Sequence, residues 1–285
     1  MWPNGRKLDN PHPAKIHTMS KLRILYAASE IDPFLTTSAV ANFVRALPQY
    51  MQEKGLEVRI LVPRFGLINE RKNKLHEVVR LSGINIMVSG DAKALVIKVA
   101  SIPNAKLQAY FIDNEDYFKR KAVFRDKDNK FFEDNDARTV FFCKGVLETV
   151  KKLGWAPDII HCHDWVTSLI PMYLKTTYRN DPILKKAQVI FTLYNNTFSH
   201  KFDKDFIEKV RMVGLRKEKL VSLASADFGG LIQTGIKYAD VVVRSEALQD
   251  PNFKDLLDER SLLYIENNPT GLEAYYNLYK QLARA

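Results

Sequence analysis

No stretch of the 285-residue chain approaches the roughly 20 consecutive apolar residues that a membrane-spanning helix needs. Residues 1–18, MWPNGRKLDNPHPAKIHT, also lack the apolar centre of a secretory signal. These absences argue against a membrane partner, and we expect a cytoplasmic protein. Cysteine is equally scarce. Cys143 and Cys162 are the only two and show no C-x-x-C spacing, which excludes a disulfide scaffold and predicts reduced, buried thiols. Acidic residues are the minority, since 33 Asp and Glu against 43 Lys and Arg leave a formal charge of +10. That surplus suits nucleic acid or anionic ligands, but it is scattered. The segment Lys201-Phe-Asp-Lys-Asp-Phe-Ile-Glu-Lys209 reads as a solvated helix face. With no RNP, zinc-finger or arginine-rich motif in the sequence, nucleic acid is not an expected partner.

Motifs that would announce a chemistry are missing too. There is no G-x-S-x-G elbow, no Walker A loop and no G-x-G-x-x-G, so hydrolase, P-loop and dinucleotide readings lack their carriers. Glycine is absent where a phosphate site would most need it. The apolar run Leu22–Ala28 leads through SEIDPFLTTSAV into a helical pattern, and this strand-to-helix junction reads Thr36-Thr37-Ser38-Ala39-Val40. Nucleotide-binding folds usually place glycines there, so that phosphates can approach the backbone amides.

What the sequence does contain is an alternation of elements and enough apolar residues, 46%, for a large core. Strands are predicted near 22–28, 57–62, 157–163, 188–194 and 240–244, with helices near 38–54, 134–153, 165–177 and 229–238. This order predicts an α/β fold, a Rossmann-like doubly wound parallel sheet. The short runs 84–88, 94–99 and 107–112, separated by turns, predict antiparallel strands extending one edge. In the helix at 134–153, Val140, Cys143, Leu147 and Val150 share a stripe, and Gly154 marks its end. No linker divides the chain, so 19–268 is expected to be one domain. Residues 1–18, with three prolines and no periodicity, are expected to be a disordered leader. Over 269–285, Leu272, Tyr275, Tyr276, Leu278, Tyr279 and Leu282 fall at helical spacing and predict a helix that packs on the domain.

Ligands of open parallel sheets bind beyond the carboxyl ends of the strands. Four polar clusters fall there: Ser29-Glu30, His161-Cys-His-Asp-Trp165, Tyr194-Asn-Asn-Thr197 and Arg244-Ser-Glu246. The His161-x-His163 pair has the spacing of metal ligands, but few other histidines are at hand and no metal site is expected. The stretch RDKDNKFFEDND begins like a calcium loop, yet Lys130 and Phe131 stand where a ligand and the turn glycine belong, so it reads as a surface turn. Amides and carboxylates beside an aromatic face suit a sugar.

As a set, ILYAASEIDPF, ALPQYMQEKGLEVRILVPRFG, the long block from AYFIDNEDYFK to MYLK, VIFTLYNNTF and GLIQTGIKYADVVVRSE resemble the N-terminal catalytic domain of bacterial glycogen and plant starch synthases, family 5 glycosyltransferases of the GT-B fold. The resemblance implies the N-terminal half of a GT-B fold, with glucose passing from ADP-glucose to an α-1,4-glucan with retention and with no metal or cofactor. It carries Glu30, Asp164, Trp165 and Asn195 over as candidate substrate-binding residues. Thr36 stands in place of the family's lysine in Lys-Thr-Gly-Gly-Leu, and Tyr194 in place of its glucose-contacting histidine. No residue is assigned as catalytic. These departures, and a length that covers one domain, imply a chain without transfer activity of its own. Either it works with a separate chain supplying the other GT-B domain, or it is a non-catalytic glucan-binding or regulatory protein with weak affinity for malto-oligosaccharides.

Overall fold

The computed structural model describes residues 21–244, 263–265 and 269–284. The leader 1–18, Ser245 and Glu246, and the loop residues Asn267 and Asn268 lie outside the described residues. Ten strands form one sheet: β1 (Arg23–Ala27), β2 (Glu57–Pro63), β3 (His76–Glu77), β4 (Ile84–Val88), β5 (Asp91–Ser101), β6 (Gln108–Asp113), β7 (Ile159–His163), β8 (Gln188–Leu193), β9 (Val241–Arg244) and β10 (Leu263–Tyr264). Their order is β10-β9-β8-β7-β1-β2-β6-β5-β3, with β4 also on β5. All pairs from β10 to β6 are parallel. The described helices are α1 (Ala39–Glu53), α2 (Glu115–Phe118), α3 (Asn135–Leu153), α4 (Leu169–Lys175), α5 (Phe206–Val210), α6 (Phe228–Tyr238) and α7 (Pro269–Leu282).

This is the doubly wound α/β sheet with antiparallel edge strands that the sequence predicts, with one correction. The run 107–112 is not a purely antiparallel edge strand. As β6 it lies parallel to β2, Ile60 facing Ala109, and is antiparallel only to β5. Its interior is apolar because a strand with neighbours on both sides and covered faces must be. The helix expected over 165–177 is divided into a 3-10 turn, Trp165–Thr167, and α4. The Thr167 hydroxyl donates back to the Asp164 carbonyl at 2.8 Å and draws that first turn tight.

Local chemistry places the helices that matter. Ser38 caps α1, its hydroxyl accepting from the Val40 amide at 3.2 Å, and Val40, Phe43, Val44, Leu47 and Met51 turn one buried stripe to the sheet. Gly154 ends α3 with φ 62°, a left-handed value that glycine adopts without penalty. Helix α7 lies against α1 and the middle of the sheet. Tyr275 and Tyr279 are fully buried. The Tyr279 hydroxyl is 2.7 Å from His161 Nδ1, the Tyr275 ring meets Phe43 at 5.4 Å, and Glu273 pairs with Lys54 at 2.9 Å and accepts from the Tyr50 hydroxyl. Among the described residues no helix is long and apolar enough to cross a membrane.

Burying two tyrosines gives α7 a measurable share of the stability. Tyr279→Ala is expected to cost about 3–5 kcal/mol, the usual range for deleting a buried aromatic ring. Tyr279→Phe should cost about 1–3 kcal/mol, because it strands a buried imidazole nitrogen. Urea unfolding of both variants checks this. Stability equal to the parent chain would mean that α7 does not belong to the core.

Candidate functional site

Three strand ends converge on one cavity of about 620 Å³. Strand β1 runs into Ser29 and Glu30, β7 into Asp164 and Trp165, and β8 into the segment Asn196–Phe198; a fourth wall comes from the loop Lys121–Lys127. The floor is a line of hydrogen bonds that joins the three strand ends. Glu30 Oε2 accepts from the Thr37 amide at 2.6 Å and from the Thr37 hydroxyl at 2.7 Å, while Oε1 accepts from the Ser38 hydroxyl. The Asn196 amide donates to Ser38 Oγ at 3.3 Å and to Asp164 Oδ2 at 2.8 Å.

Asp164 is the unusual member. Its backbone stands at φ 68°, ψ 169°, a region that side-chain-bearing residues rarely occupy, and it is 97% buried, at 3% exposure. Burial raises its carboxyl to about 7, with the nearby Glu30 adding to the rise; the bonds from Asn196 and the Trp165 amide oppose it.

The apolar side of the cavity is a ring cluster. Trp165 packs on Phe124 at 4.7 Å and edge-to-face on Phe198 at 4.9 Å. Trp165 is only 3% exposed, so the half-buried Phe124 and Phe198 are the rings with surface to offer. Lys121, Arg125 and Lys127 add positive charge along the rim. Arg138, buried in the first turn of α3, fixes this wall. It donates through Nε to the Tyr117 carbonyl at 2.8 Å and through Nη1 to the Val123 carbonyl at 2.6 Å, inside a box of Phe65, Phe118, Phe124 and Phe132. Burial lowers it to about 9, and it stays charged at neutral pH. Gly66 backs the same segment, since a Cβ there would collide with the carbonyls of Lys119 and Arg120.

Of the sequence-predicted residues, Glu30, Asp164 and Trp165 meet in the cavity. Thr36 does not line it, and its hydroxyl donates away to Asp32 at 3.1 Å. Tyr194 turns into the core, where its hydroxyl sits 2.9 Å from His163 Nδ1. Asn195 is exposed beside the cavity and its neighbour Asn196 reaches the floor instead. His161 bonds Tyr279 and Thr192, both at 2.7 Å, and burial holds both histidines well below their ordinary range and therefore neutral. Among the described residues no three His, Cys, Asp or Glu side chains gather as metal ligands would. Sequence reasoning missed the loop Lys121–Lys127. The stretch from Arg125 onward, read as a surface turn, instead gives Arg125, Asp126, Lys127 and Phe131 to the lining, and the signal that could have found the loop is Phe124 interleaved with Lys121 and Arg125.

A family model described as the starch synthase catalytic domain matches residues 23–247. A glycogen synthase of Chlorobium luteolum is 40% identical over 228 residues, covering 79% of this chain and 46% of that protein. Another from Chlorobaculum tepidum is 36% identical over 255 residues, covering 85% of this chain and 49% of that one. The chain thus spans about half the length of the curated relatives it matches. Among solved structures, the catalytic domain of starch synthase IV from Arabidopsis thaliana bound to ADP and acarbose aligns with a TM-score of 0.66. It covers 92% of this chain and 50% of that one at 19% identity, a likeness of fold.

The elevated Asp164 carboxyl sets a pH dependence. The folded chain holds this proton up to about pH 7, whereas an unfolded aspartate releases it near ~3.9. Stability is therefore lost as pH rises from about 4 through 7, by a penalty on the order of 4 kcal/mol once the group is ionised. Asp164→Asn removes the penalty and keeps an acceptor for Asn196. Its advantage in urea unfolding should be near zero at pH 4 and grow to a few kcal/mol at pH 8; a pH-independent difference would refute the assignment.

Proposed function

The chain belongs to the starch synthase catalytic-domain family, and from that membership we propose a glycogen- or starch-synthase-like domain that holds an α-1,4-glucan in its cleft and does not by itself transfer glucose from ADP-glucose. The observation that carries this reading is the junction between β1 and α1. Its Thr37 amide is held by the Glu30 carboxylate and its Val40 amide by the Ser38 hydroxyl. A diphosphate arriving there would have to displace an anion already in place, and Thr36 brings no cation to offset the cost. The family's glycines leave room at this point, whereas Ser38 puts a side chain into it. Without a donor held and oriented, transfer loses both positioning and charge stabilisation in the transition state.

A glucan needs none of those amides. Phe124 and Phe198 offer apolar faces to a sugar ring, while Asn196, Asp164 and Ser29 present polar atoms to its hydroxyls. Near pH 7 the Asp164 carboxyl serves either as donor or as acceptor. The open cleft buries only part of an oligosaccharide, so affinity should be weak, with Kd on the order of millimolar, or about −4 kcal/mol.

Two measurements test the proposal. Incorporation of labelled glucose from ADP-glucose or UDP-glucose into glycogen should be undetectable, and turnover on the common enzyme scale of roughly 1–1000 per second would overturn that half. In a maltoheptaose titration, NMR shifts should cluster on residues 121–127, 161–165 and 194–198 and weaken several-fold in Asn196→Ala. No shifts at high maltoheptaose concentration would remove the glucan reading.

A further inference from the structure

At the opposite end of the sheet, beside the amino-terminal ends of β1, β2 and β6, lies a second cavity of about 510 Å³. Three cations line it: Lys21, Arg59 and Lys106. Among the described residues its single acid, Glu57, is already committed, accepting from the Trp155 indole at 2.6 Å and from Arg23 Nε at 3.2 Å. Among the described residues no carboxylate stands within 4.0 Å of any of the three cations. We propose that this cavity binds the phosphate group of a small phosphorylated molecule.

Arg59 carries the inference. Its guanidinium carbon lies 4.9 Å from the Trp155 ring centroid and 5.7 Å from that of Tyr110, and Nη1 donates to the Tyr110 hydroxyl at 3.0 Å. The side chain is therefore held in one orientation before any ligand arrives, which removes much of the ordering cost of binding. Its Nε is buried and has no acceptor among the described residues. That leaves a charge which no neighbour neutralises, and because Nε is closed to solvent an incoming oxyanion would meet the guanidinium at its Nη end. The planar fork of arginine matches two oxygens of a phosphate, and the lysines add point charges that attract without fixing geometry.

One feature opposes anion binding. The carboxyl-terminal end of α1, with Gln52 and Gly55, opens on the same cavity, and a helix terminus of this kind carries about half a negative charge. Three full positive charges outweigh it. If the cations served only to complement that terminus, they would face its carbonyls; instead Arg59 is spent on two aromatic rings and a hydroxyl. The cavity lies at the other end of the strands from the glucan cleft, so the two sites stand or fall separately.

The test is a titration of the full chain with sodium phosphate at fixed ionic strength, followed through the Trp155 indole and Arg59 Nε–H resonances. Saturable shifts at both are expected, absent when sodium chloride replaces phosphate. Arg59→Lys keeps the charge and loses the fork, and should weaken binding at least ~5-fold. Lys106→Gln, at an exposed position that leaves the fold intact, should weaken it by a smaller factor. Glycerol phosphate should bind at least as tightly as inorganic phosphate. Shifts that chloride reproduces, shifts unchanged in both variants, or binding of inorganic phosphate without the monoester would each overturn the proposal.

Discussion

Strand β7 is buried on both faces yet carries His161, His163 and, at its end, Asp164, so its polar atoms depend on partners inside the protein, and all of those side-chain nitrogens but His163 Nε2 have one. That constraint organises much of the rest. His161 reaches β8 through Thr192 and α7 through Tyr279, so one imidazole joins the central strand to its neighbour and to the last helix. His163 draws Tyr194 inward, which sets the direction in which the chain leaves β8. Asp164 comes last and receives the Asn196 amide. The cleft floor is the point at which the buried polar requirements of the strand reach solvent.

The same logic explains why the first loop is closed without glycine. An open strand-to-helix junction exposes amides that seek an anion, and in this chain the anion is a residue of the chain itself. Glu30 lies on the extension of β1 and its two oxygens take up Thr37 and Ser38. Ser38 in turn caps α1 and accepts from Asn196. Loop, helix start and third strand are thereby fixed with no external ligand.

Much of this fold could be read from the residues. Apolar β-branched runs located β1, β2, β7, β8 and β9, and a stripe ending at Gly154 located α3. The direction of β6 was not legible, because a strand parallel to one neighbour and antiparallel to the other shows the same apolar pattern in either case. At the site, Glu30, Asp164 and Trp165 follow directly from strand ends. Tyr194 and Asn195 did not resolve from sequence, because which of three consecutive residues faces a cavity depends on one backbone torsion. Here it was decided by a buried histidine that needed a hydroxyl. The loop Lys121–Lys127 was hidden for a different reason, since its place in the cleft depends on Arg138, in the first turn of α3, bonding back to the carbonyls of Tyr117 and Val123, and a buried arginine of that kind has no signature in the sequence.

That arginine also bears on how the cleft could change over time. Its two anchored carbonyls, Tyr117 and Val123, and the ring of Phe124 fix the wall up to the point where the chain turns out into the hairpin closed by Asp126 and Lys130. An added or deleted residue before Phe124 would pull a carbonyl off a buried guanidinium. One at the exposed tip, Asp126–Lys130, would leave those bonds alone while moving Arg125 and Lys127 along the rim. The length of that tip is therefore where descendants of this sequence could reshape the mouth of the cleft without disturbing its wall.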